Sequence, residues 1–401
     1  MFLYDIVKVI YSPVKAFREI LTNPKYIGPI IIIIISLFLT LGTQYVSGSK
    51  HYIETIAPSN RVAWTNMTDP SSMWTSNGTV NKISQNSSIL IGNYSVIASI
   101  SNSRGILLRT KTASIGTINC SGDSGFKTFY YKLMYNRTLP QNVSTATLRL
   151  YSFGNESNYF KFDLLSNARY LNESATWIDA NVTLVSGWTV GGGSPNWSNI
   201  TGIEFRLGFP ENDTLSFQLN DLNFGGKYEL LYDAEGFTNW LSSTLIGSAF
   251  DIFLRWLIFA GLLWLTIKVF HAEGSPFRTL LVIVGYAFAI MFVYVPVEML
   301  SVSQLSVLHF PYRAVFPMST REIELANTSI SNIFAANWTS TAPYIVFIGI
   351  GYLSYAWTIG LFTIALRTLH NFSWKKAIII SLVAYIMALV LSAIILNALQ
   401  I

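Results

Sequence analysis

Two oppositely charged residues, Asp251 and Arg255, lie inside a stretch of otherwise apolar residues. Because they are four positions apart, they would share one face of a helix and could form an ion pair. Glu298, near the end of a second apolar stretch, could join them. If these stretches cross a membrane, each charge costs at least ~2.5 kcal/mol at mid-bilayer unless it is paired or hydrated. We therefore predict an intramembrane charge cluster that clamps helices together, with a proton or solute path as the alternative.

A second group of residues has the spacing of glycan acceptors. Of the 20 Asn between positions 46 and 236, 13 begin an Asn-x-Ser/Thr sequon, whereas a Ser/Thr share near one fifth would give only about 4 by chance. We expect this region to lie outside the cell and to carry N-linked glycans. The predicted acceptors, including two from a later segment, are Asn66, Asn77, Asn86, Asn93, Asn119, Asn136, Asn142, Asn155, Asn172, Asn181, Asn196, Asn199, Asn212, Asn327 and Asn337.

Catalytic chemistry has no comparable support. The sequence has no Walker loop, no His-x-x-x-His or multi-cysteine metal spacing and no Gly-x-Ser-x-Gly elbow. Cys120 is the only cysteine, which excludes an intrachain disulfide, and we expect it to be a small buried side chain. The sequence therefore predicts a non-enzymatic protein with no catalytic residue, metal or cofactor.

Composition indicates which elements hold these residues. The 401-residue chain is 51% hydrophobic and only 12% charged, whereas soluble domains are about 25% charged. Five segments are long and apolar enough to cross a ~30 Å hydrocarbon core as helices. They run approximately over 27–46, 244–267, 277–297, 344–366 and 377–399.

Positive charges indicate the side of the membrane on which each loop lies. Nine Lys and Arg flank the spans on one side, whereas the loop 298–343 on the other side carries only Arg313 and Arg321, offset by three Glu. Since Lys and Arg are enriched in cytoplasmic loops, we predict a cytoplasmic N-terminus and an extracellular C-terminus. Because these basic residues lie beside the spans, the net charge of +5 indicates a lipid bilayer as the partner, and not nucleic acid. Asn371 also begins a sequon but falls on the cytoplasmic side, so we expect it to carry no glycan.

The pattern predicts four regions along the chain. Residues 1–26 form a cytoplasmic amphipathic segment, which either lies on the inner leaflet or packs under the helix bundle. Residues 27–46 form the first transmembrane helix, residues 47–236 an extracellular glycosylated β-sandwich, and residues 237–401 transmembrane helices two to five.

Period-two patterns predict the fold of the extracellular region. Between about 86 and 225, β-branched and aromatic runs are separated by Gly, Asn, Pro and Ser, which is typical of an antiparallel sandwich. Residues before 86 have no clear period and are predicted to form a stalk or an edge element. The predicted strands are 95–100, 105–110, 127–133, 146–153, 159–165, 177–185, 200–207 and 215–222.

Residues 196–207 and 215–225 resemble the closing strands of galactose-binding-like jelly rolls of the carbohydrate-binding type. The resemblance implies an all-β jelly-roll sandwich, with a carbohydrate as one candidate ligand. The alternative is a glycan-shielded spacer or docking module whose aromatic residues belong to the core. The aromatic residues that could stack on sugar rings are Trp177, Trp188, Trp197, Tyr151 and Tyr159.

The most specific string in the chain runs from Leu366 to Ala377, preceded by Tyr355-Ala-Trp357 and Gly360-Leu361. It resembles the Yip family of membrane proteins, the Ypt/Rab-interacting proteins and their prokaryotic relatives. Gly28-Pro29, Gly285-Tyr286 and Pro296 fit the same family. The resemblance implies a five-span bundle, whereas the insertion of ~190 residues after the first span departs from the family and favours an archaeal cell surface. The residues of the predicted cytoplasmic basic turn are Arg367, His370, Lys375 and Lys376.

These patterns favour a membrane-organising or scaffold component of the cell surface, which docks other membrane or envelope proteins. Two alternatives remain open. One is a receptor for a surface carbohydrate or envelope polymer, and the other is a transporter or an accessory subunit of a membrane complex.

Overall fold

A computed structural model describes residues 2–84, 90–139, 142–167, 169–171, 174–270 and 276–399. The chain divides into two compact units. The first, here called the bundle, comprises Met1–His51, Leu230–Leu308 and Phe334–Ile401. The second, here called the sandwich, comprises Tyr52–Glu229 and His309–Ile333.

Long apolar helices dominate the bundle. A 3-10 turn, Phe288–Ile290, joins the helices Phe277–Ala287 and Met291–Ser303 into a single continuous segment. The α-helices of the described residues are α1 (Phe2–Tyr11), α2 (Pro13–Thr22), α3 (Ile27–Gly48), α4 (Leu231–Ala234), α5 (Phe237–Val269), α6 (Phe277–Ala287), α7 (Met291–Ser303), α8 (Tyr312–Val315), α9 (Thr320–Asn337), α10 (Ala342–His370) and α11 (Trp374–Leu399).

Within the described residues, five helical segments are long and apolar enough to cross a membrane. Each overlaps one of the spans predicted from hydropathy. In a hydrocarbon core, a run of about 20 apolar residues satisfies the hydrogen bonds of its own backbone only as a helix. The prediction of a five-span helical membrane bundle is confirmed. The segments are Ile27–Gly48, Phe237–Val269, Phe277–Ser303, Ala342–His370 and Trp374–Ile395.

The first and third spans approach each other through glycines. A Cβ atom on Gly285 would lie 2.4 Å from the Cβ of Pro29, and one on Gly28 would lie 2.0 Å from the hydroxyl oxygen of Tyr286. Non-bonded atoms do not approach so closely, so glycine is needed at both positions for α3 and α6 to pack as they do.

The two N-terminal helices pack against the bundle. Ile6 of α1 and Phe17 of α2 are buried in the same hydrophobic cluster as residues of the spans, such as Leu361 and Ala365. This packing on the spans agrees with one of the two arrangements predicted for the segment, while Val7 and Val14 remain exposed.

The sandwich consists of antiparallel strands, two of which are unusually long. The strand Tyr94–Thr110 covers 17 residues and the strand Ile200–Leu230 covers 31. The strands of the described residues are β1 (His51–Ala57), β2 (Trp74–Ser76), β3 (Thr79–Ser84), β4 (Tyr94–Thr110), β5 (Thr128–Arg137), β6 (Thr145–Ser152), β7 (Asn155–Asp163), β8 (Ile178–Thr183), β9 (Thr189–Gly192), β10 (Ile200–Leu230) and β11 (Leu308–Phe310).

The long strands β4 and β10 each contribute to two sheets. One sheet has the order β9-β7-β6-β10-β4-β2, through residues 200–208 of β10 and 105–110 of β4. The other has the order β8-β5-β10-β4-β3, through residues 215–225 and 94–100. Because the chain repeatedly passes from one sheet to the other, the arrangement is that of a jelly-roll sandwich. The predicted all-β jelly-roll fold is confirmed.

The core lies between these two sheets and follows the alternation of side chains along each strand. On β5, Phe129, Tyr131 and Leu133 are fully buried in the core. The intervening residue Lys132 points to the opposite face, yet it is also only 1% exposed. Another part of the sandwich must therefore cover that outer face.

Of the two alternatives predicted for the residues before 86, a stalk or an edge element, the structure has the edge element, because β2 and β3 lie at sheet edges beside β4. Strand β1 belongs to the sheet as well. The structure corrects another detail of the prediction. The predicted turn between 207 and 215 is part of the continuous strand β10, which bends there through irregular pairing between Gly208 and Leu215. Short edge strands such as β2 carry too few residues to display a period.

Candidate functional site

The bundle contains a polar cavity of about 380 Å³. Its wall is formed by α3, α5, α7, α10, α11 and the turn between α6 and α7. The structure brings the three charged residues predicted from the sequence together around this cavity, beside three tyrosines. These six residues are Asp251, Arg255, Glu298, Tyr294, Tyr355 and Tyr385.

Two of the three charged residues form an ion pair. Arg255 Nε donates to Asp251 Oδ1 at 2.7 Å, because one helical turn separates them on α5. Glu298 lies on α7, and among the described residues it has no ion pair or hydrogen bond. Its Oε1 atom is 3.8 Å from the point where a Cβ of Gly351 would lie. When ionised, Glu298 is thus the uncompensated charge of the wall.

The sandwich contains a second cluster of charges, here called the ion network. Arg61 donates from Nε and Nη2 to the carboxylate of Asp221 at 3.0 and 2.5 Å. It also donates from Nη1 and Nη2 to the carboxylate of Glu322 at 2.8 and 2.7 Å. Arg61 is 1% exposed and Asp221 is 0% exposed, so these bidentate contacts are removed from water and strong.

Three further residues complete the ion network. Arg313 contacts Asp179 at 2.7 Å and Asp221 at 3.0 Å. Lys132 Nζ lies 3.3 Å from Asp221 Oδ2 and 3.7 Å from Glu322 Oε1. Three cations therefore face three carboxylates. Because Arg313 and Glu322 belong to His309–Ile333, the network joins this segment to the outer face of β5, β8 and β10, and it covers Lys132.

The ion network determines the protonation of its acids. Burial raises the pKa of Asp221, but the positive charges of Arg313 and Arg61 outweigh this effect and hold the pKa below its usual range. Burial likewise opposes ionisation of Glu322, and its hydrogen bonds from Arg61 lower the pKa overall. Both carboxylates are thus ionised at neutral pH. The stability that they contribute is present above the pKa of the unfolded chain and is lost as pH falls through the pKa of the folded chain.

Two of the tryptophans predicted as sugar-stacking candidates are partly buried and pack against the core of the sandwich. Trp197 stacks on Phe160, with ring centroids 3.9 Å apart and an angle of 11° between the planes. Trp188 meets Trp197 edge to face at 5.5 Å, and both pack against the core. Trp177 is only partly buried. One face of Trp197 is thus covered by Phe160, and Trp188 contacts the rings of Phe162 and Trp197.

The two tyrosines of the same set are held by polar neighbours. The hydroxyl group of the buried Tyr151 donates to Glu204 Oε2 at 2.7 Å. The guanidinium carbon of Arg149 lies 4.7 Å from the centre of the Tyr159 ring, at cation–π distance. Neither ring is presented as an open apolar platform.

Most of the predicted glycan acceptors lie at the surface. Asn86 and Asn172 fall outside the described residues, and Asn66, Asn136 and Asn199 are partly buried. The remaining acceptors in the described part of the chain are exposed, and the amide nitrogen of one of them, Asn77, donates to the carbonyl oxygen of Gly105 at 2.9 Å.

The basic turn between α10 and α11 is organised by aromatic and backbone contacts. Arg367 lies 4.1 Å over the Trp374 ring, and Lys376 Nζ donates to the carbonyl oxygen of Phe270 at 3.0 Å. His370 stacks on Phe372, with ring centroids 5.0 Å apart. Lys375 is exposed.

The sequence alone did not reveal the ion network. Arg313 and Glu322 entered only the count of loop charges, and Arg61 lay in a region without periodicity. One signal was available, because Lys132 stands between the apolar residues Tyr131 and Leu133, and Asp221 is the one charged residue of the predicted strand 215–222. Charges of opposite sign at such positions indicate a partner elsewhere in the fold.

The five spans and the inserted sandwich define a multi-pass membrane protein with a large domain outside the bilayer. Residues 181–396 match the Yip1 domain, which is more than half of the 401-residue chain. The chain therefore belongs to the Yip1 domain family. The match begins in β8 and extends through most of α11, and it confirms the resemblance seen in the sequence.

Solved structures similar to part of the chain are carbohydrate-binding modules. The family 11 module from Clostridium thermocellum, in complex with a β-1,3-1,4-mixed-linked tetrasaccharide, is 8% identical with a TM-score of 0.27 and covers 43% of this chain and 94% of its own. A module of the CBM28 type, specific for non-crystalline cellulose, is 6% identical with a TM-score of 0.26 and covers 41% and 93%. The fold assignment rests on the strand order given above, not on these scores. No curated protein sequence matches the chain.

Proposed function

We propose that the chain is a non-enzymatic protein of the cell membrane that organises the membrane or acts as a scaffold or accessory component. Its N-terminus lies in the cytoplasm, and its sandwich and C-terminus lie outside the cell. In this role the sandwich docks other membrane or envelope proteins while the bundle anchors it.

The observation that carries this proposal is that two separate segments build one sandwich. Tyr52–Glu229 and His309–Ile333 belong to the same compact unit, although the candidate spans Phe237–Val269 and Phe277–Ser303 separate them in sequence. Two crossings return the chain to the side from which it started, so both segments lie on one side of the membrane. The same two segments hold every predicted glycan acceptor except Asn337, which supports the extracellular side.

The scaffold role is favoured over sugar binding by how the sandwich uses its side chains. Trp188 and Trp197 are partly buried against the core and against each other, and His309–Ile333 covers part of the outer face of one sheet through the ion network. A stacking platform for pyranose rings needs open aromatic faces. The sandwich instead offers polar strands and exposed sequons.

Topology is tested with a protease added to intact cells that express a full-length chain tagged at the N-terminus. We expect cleavage within 52–229 while the tag stays protected. Cleavage of the sandwich only after lysis would contradict the proposal.

The docking role is tested by cross-linking intact cells, followed by gentle detergent extraction and quantitative mass spectrometry. We expect one or more membrane or envelope proteins in stoichiometric amounts, linked to lysines of the sandwich. The control is an unrelated multi-span protein expressed at the same level. If no stoichiometric partner appears, and the full-length protein saturably binds a surface polysaccharide, the receptor alternative replaces the scaffold.

A further inference from the structure

The polar cavity of the bundle has features of a binding site that the scaffold role does not require. Its volume of about 380 Å³ falls within the range of about 300–1,000 Å³ that is usual for small-ligand pockets. Ionisable side chains inside a bilayer are costly and usually face a partner or a hydrated path. A cluster that only clamped helices together would not need a cavity of this size.

The charges of the wall determine the sign of the ligand. The 2.7 Å contact between Arg255 Nε and Asp251 Oδ1 makes these two residues a neutral pair. Glu298 then contributes one uncompensated negative charge among the described residues of the wall. The cavity is therefore complementary to a single positive charge.

Aromatic rings in the wall indicate an organic cation rather than a metal ion. The rings of Tyr355 and Tyr385 have centroids 6.0 Å apart, and Tyr385 stacks on Phe259 at 5.2 Å. Ring faces attract ammonium groups within about 6 Å. Ca²⁺ takes at least about six oxygen ligands and Mg²⁺ a closely octahedral set, whereas Glu298 is the one carboxylate here that is not already paired.

The depth of the cavity makes it accessible from one membrane surface. Thr43 and Gln44 line it and lie within five residues of Gly48, the last residue of α3. At 1.5 Å per residue, this places them about 6–8 Å from the end of the helix. Both a soluble amine and a lipid headgroup could reach this level.

We propose that the cavity binds an organic ammonium group between Glu298 and the tyrosine rings. The ammonium group belongs either to a free amine or to the headgroup of a membrane lipid. Glu298 supplies the counter-charge, the rings supply cation–π contacts, and Gly351 leaves room beside the carboxylate of Glu298.

The proposal is tested on the purified full-length protein in detergent, titrated with choline chloride and with ethylammonium chloride at constant ionic strength. Saturable binding is measured by calorimetry and by the shift in Tm. Glu298→Gln is expected to weaken binding at least tenfold. Glu324→Gln, which changes an exposed carboxylate on α9, is expected to leave binding unchanged.

A second variant keeps the charge of Glu298 but fills the space beside its carboxylate. In Gly351→Leu, the new side chain projects into the cavity next to Glu298, and binding is expected to be lost. This variant decides the question if Glu298→Gln fails to fold. Absence of saturable choline and ethylammonium binding, retained binding in both variants, or equal binding of sodium would each overturn the proposal.

Two nanodisc compositions distinguish the source of the ammonium group. If lipid headgroups occupy the cavity, choline binds more weakly in phosphatidylcholine or phosphatidylethanolamine discs than in phosphatidylglycerol discs, because the lipids compete. If the ligand is a free amine, the affinity is the same in all three. Either result supports an ammonium site, whereas no binding in phosphatidylglycerol discs contradicts it.

Discussion

A Cβ atom on Gly285 would lie 2.4 Å from the Cβ of Pro29. The reciprocal contact, from Gly28 to Tyr286, involves the neighbouring residues of the same two helices. Gly28-Pro29 and Gly285-Tyr286 are thus one packing contact, although more than 250 residues separate them in sequence. Both dipeptides belong to the family resemblance, and the structure gives that resemblance a physical reason.

Replacing Gly285 by Ala should destabilise the bundle. The ring of Pro29 cannot rotate away from the added methyl group, so α3 and α6 must separate, at a cost of about 1–3 kcal/mol for overpacking. Thermal unfolding of the full-length protein in detergent measures the change. The matched control is Gly261→Ala on α5, where the added Cβ would have no neighbour within 4 Å. Equal Tm values for the two variants would contradict the close contact.

Removing Arg61 should destabilise the sandwich, because it leaves the fully buried Asp221 with weaker compensation. Breaking a buried ion pair costs about 3–5 kcal/mol, and we expect the lower end of this range because Lys132 and Arg313 remain beside Asp221. Arg61→Ala is compared with Arg104→Ala, which removes an exposed arginine. Limited proteolysis across a temperature series reports the stability of the sandwich. If both variants resist the protease equally, the network contributes no stability.

The sandwich should lose stability in acid. The pKa values of Asp221 and Glu322 are lowered in the fold. Burial disfavours the charge of Asp213 as well, but hydrogen bonds led by that from the Thr138 hydroxyl group outweigh it and lower the pKa to about 2. Groups with a depressed pKa favour the folded state above their unfolded values, near 4, and lose this contribution as pH falls toward their folded values.

Stability is therefore expected to change little between pH 7 and about pH 5, and to fall steeply below about pH 4. Denaturant unfolding of the sandwich at a series of pH values checks this expectation. Arg61→Ala should make the loss of stability below about pH 4 less steep, because the pKa of Asp221 is then lowered less by the fold. An unchanged slope in this variant would show that the acid sensitivity arises elsewhere.

Cys120 should resist alkylation in the folded protein. It is 0% exposed, as predicted from the sequence, and burial raises the pKa of its thiol to about 12. Relative to an ordinary thiol with a pKa near 8.5, the reactive thiolate is about 10³-fold rarer. Iodoacetamide labelling at pH 8 with and without denaturant measures the protection, and rapid labelling of the native protein would contradict the burial.

Glycan occupancy should distinguish extracellular sequons from cytoplasmic ones. Asn327 and Asn371 both begin sequons and are both exposed, so accessibility alone does not distinguish them. The proposed topology places Asn327 outside and Asn371 in the cytoplasm. Mass spectrometry of glycopeptides is expected to find sugar on peptides that contain Asn327 and none on those that contain Asn371. A glycan on Asn371 would reverse the proposed orientation.

Hydropathy and alternation were sufficient for most of the secondary structure. The spans follow from runs of apolar residues, and strands such as β5 and β6 follow from alternating buried positions like Phe129, Tyr131 and Leu133. The bounds of short edge strands were not predicted, because β2 has three residues and β9 contains consecutive glycines that carry no pattern. The intramembrane pair Asp251–Arg255 was predictable because its two members are local in sequence.

Long-range partners were not predictable in this way. Arg61 and Asp221 are 160 residues apart, and Arg61 and Glu322 are 261 apart, so no spacing rule relates them. Nothing in the sequence of 309–333 distinguishes an ordinary loop from a segment that covers a sheet. The same applies to the cavity, because Glu298 and Gly351 become neighbours only when α7 packs beside α10.

The division of the sandwich between Tyr52–Glu229 and His309–Ile333 dictates the order in which it can be completed during synthesis. The ribosome delivers Asp221 long before Arg313, and two spans must enter the membrane in between. Until these spans have been made, the nascent sandwich has an uncovered outer face, and its ion network lacks Arg313 and Glu322. On the proposed topology, a chain whose third span failed to cross would hold Arg313 and Glu322 on the wrong side of the membrane, and its sandwich would stay incomplete.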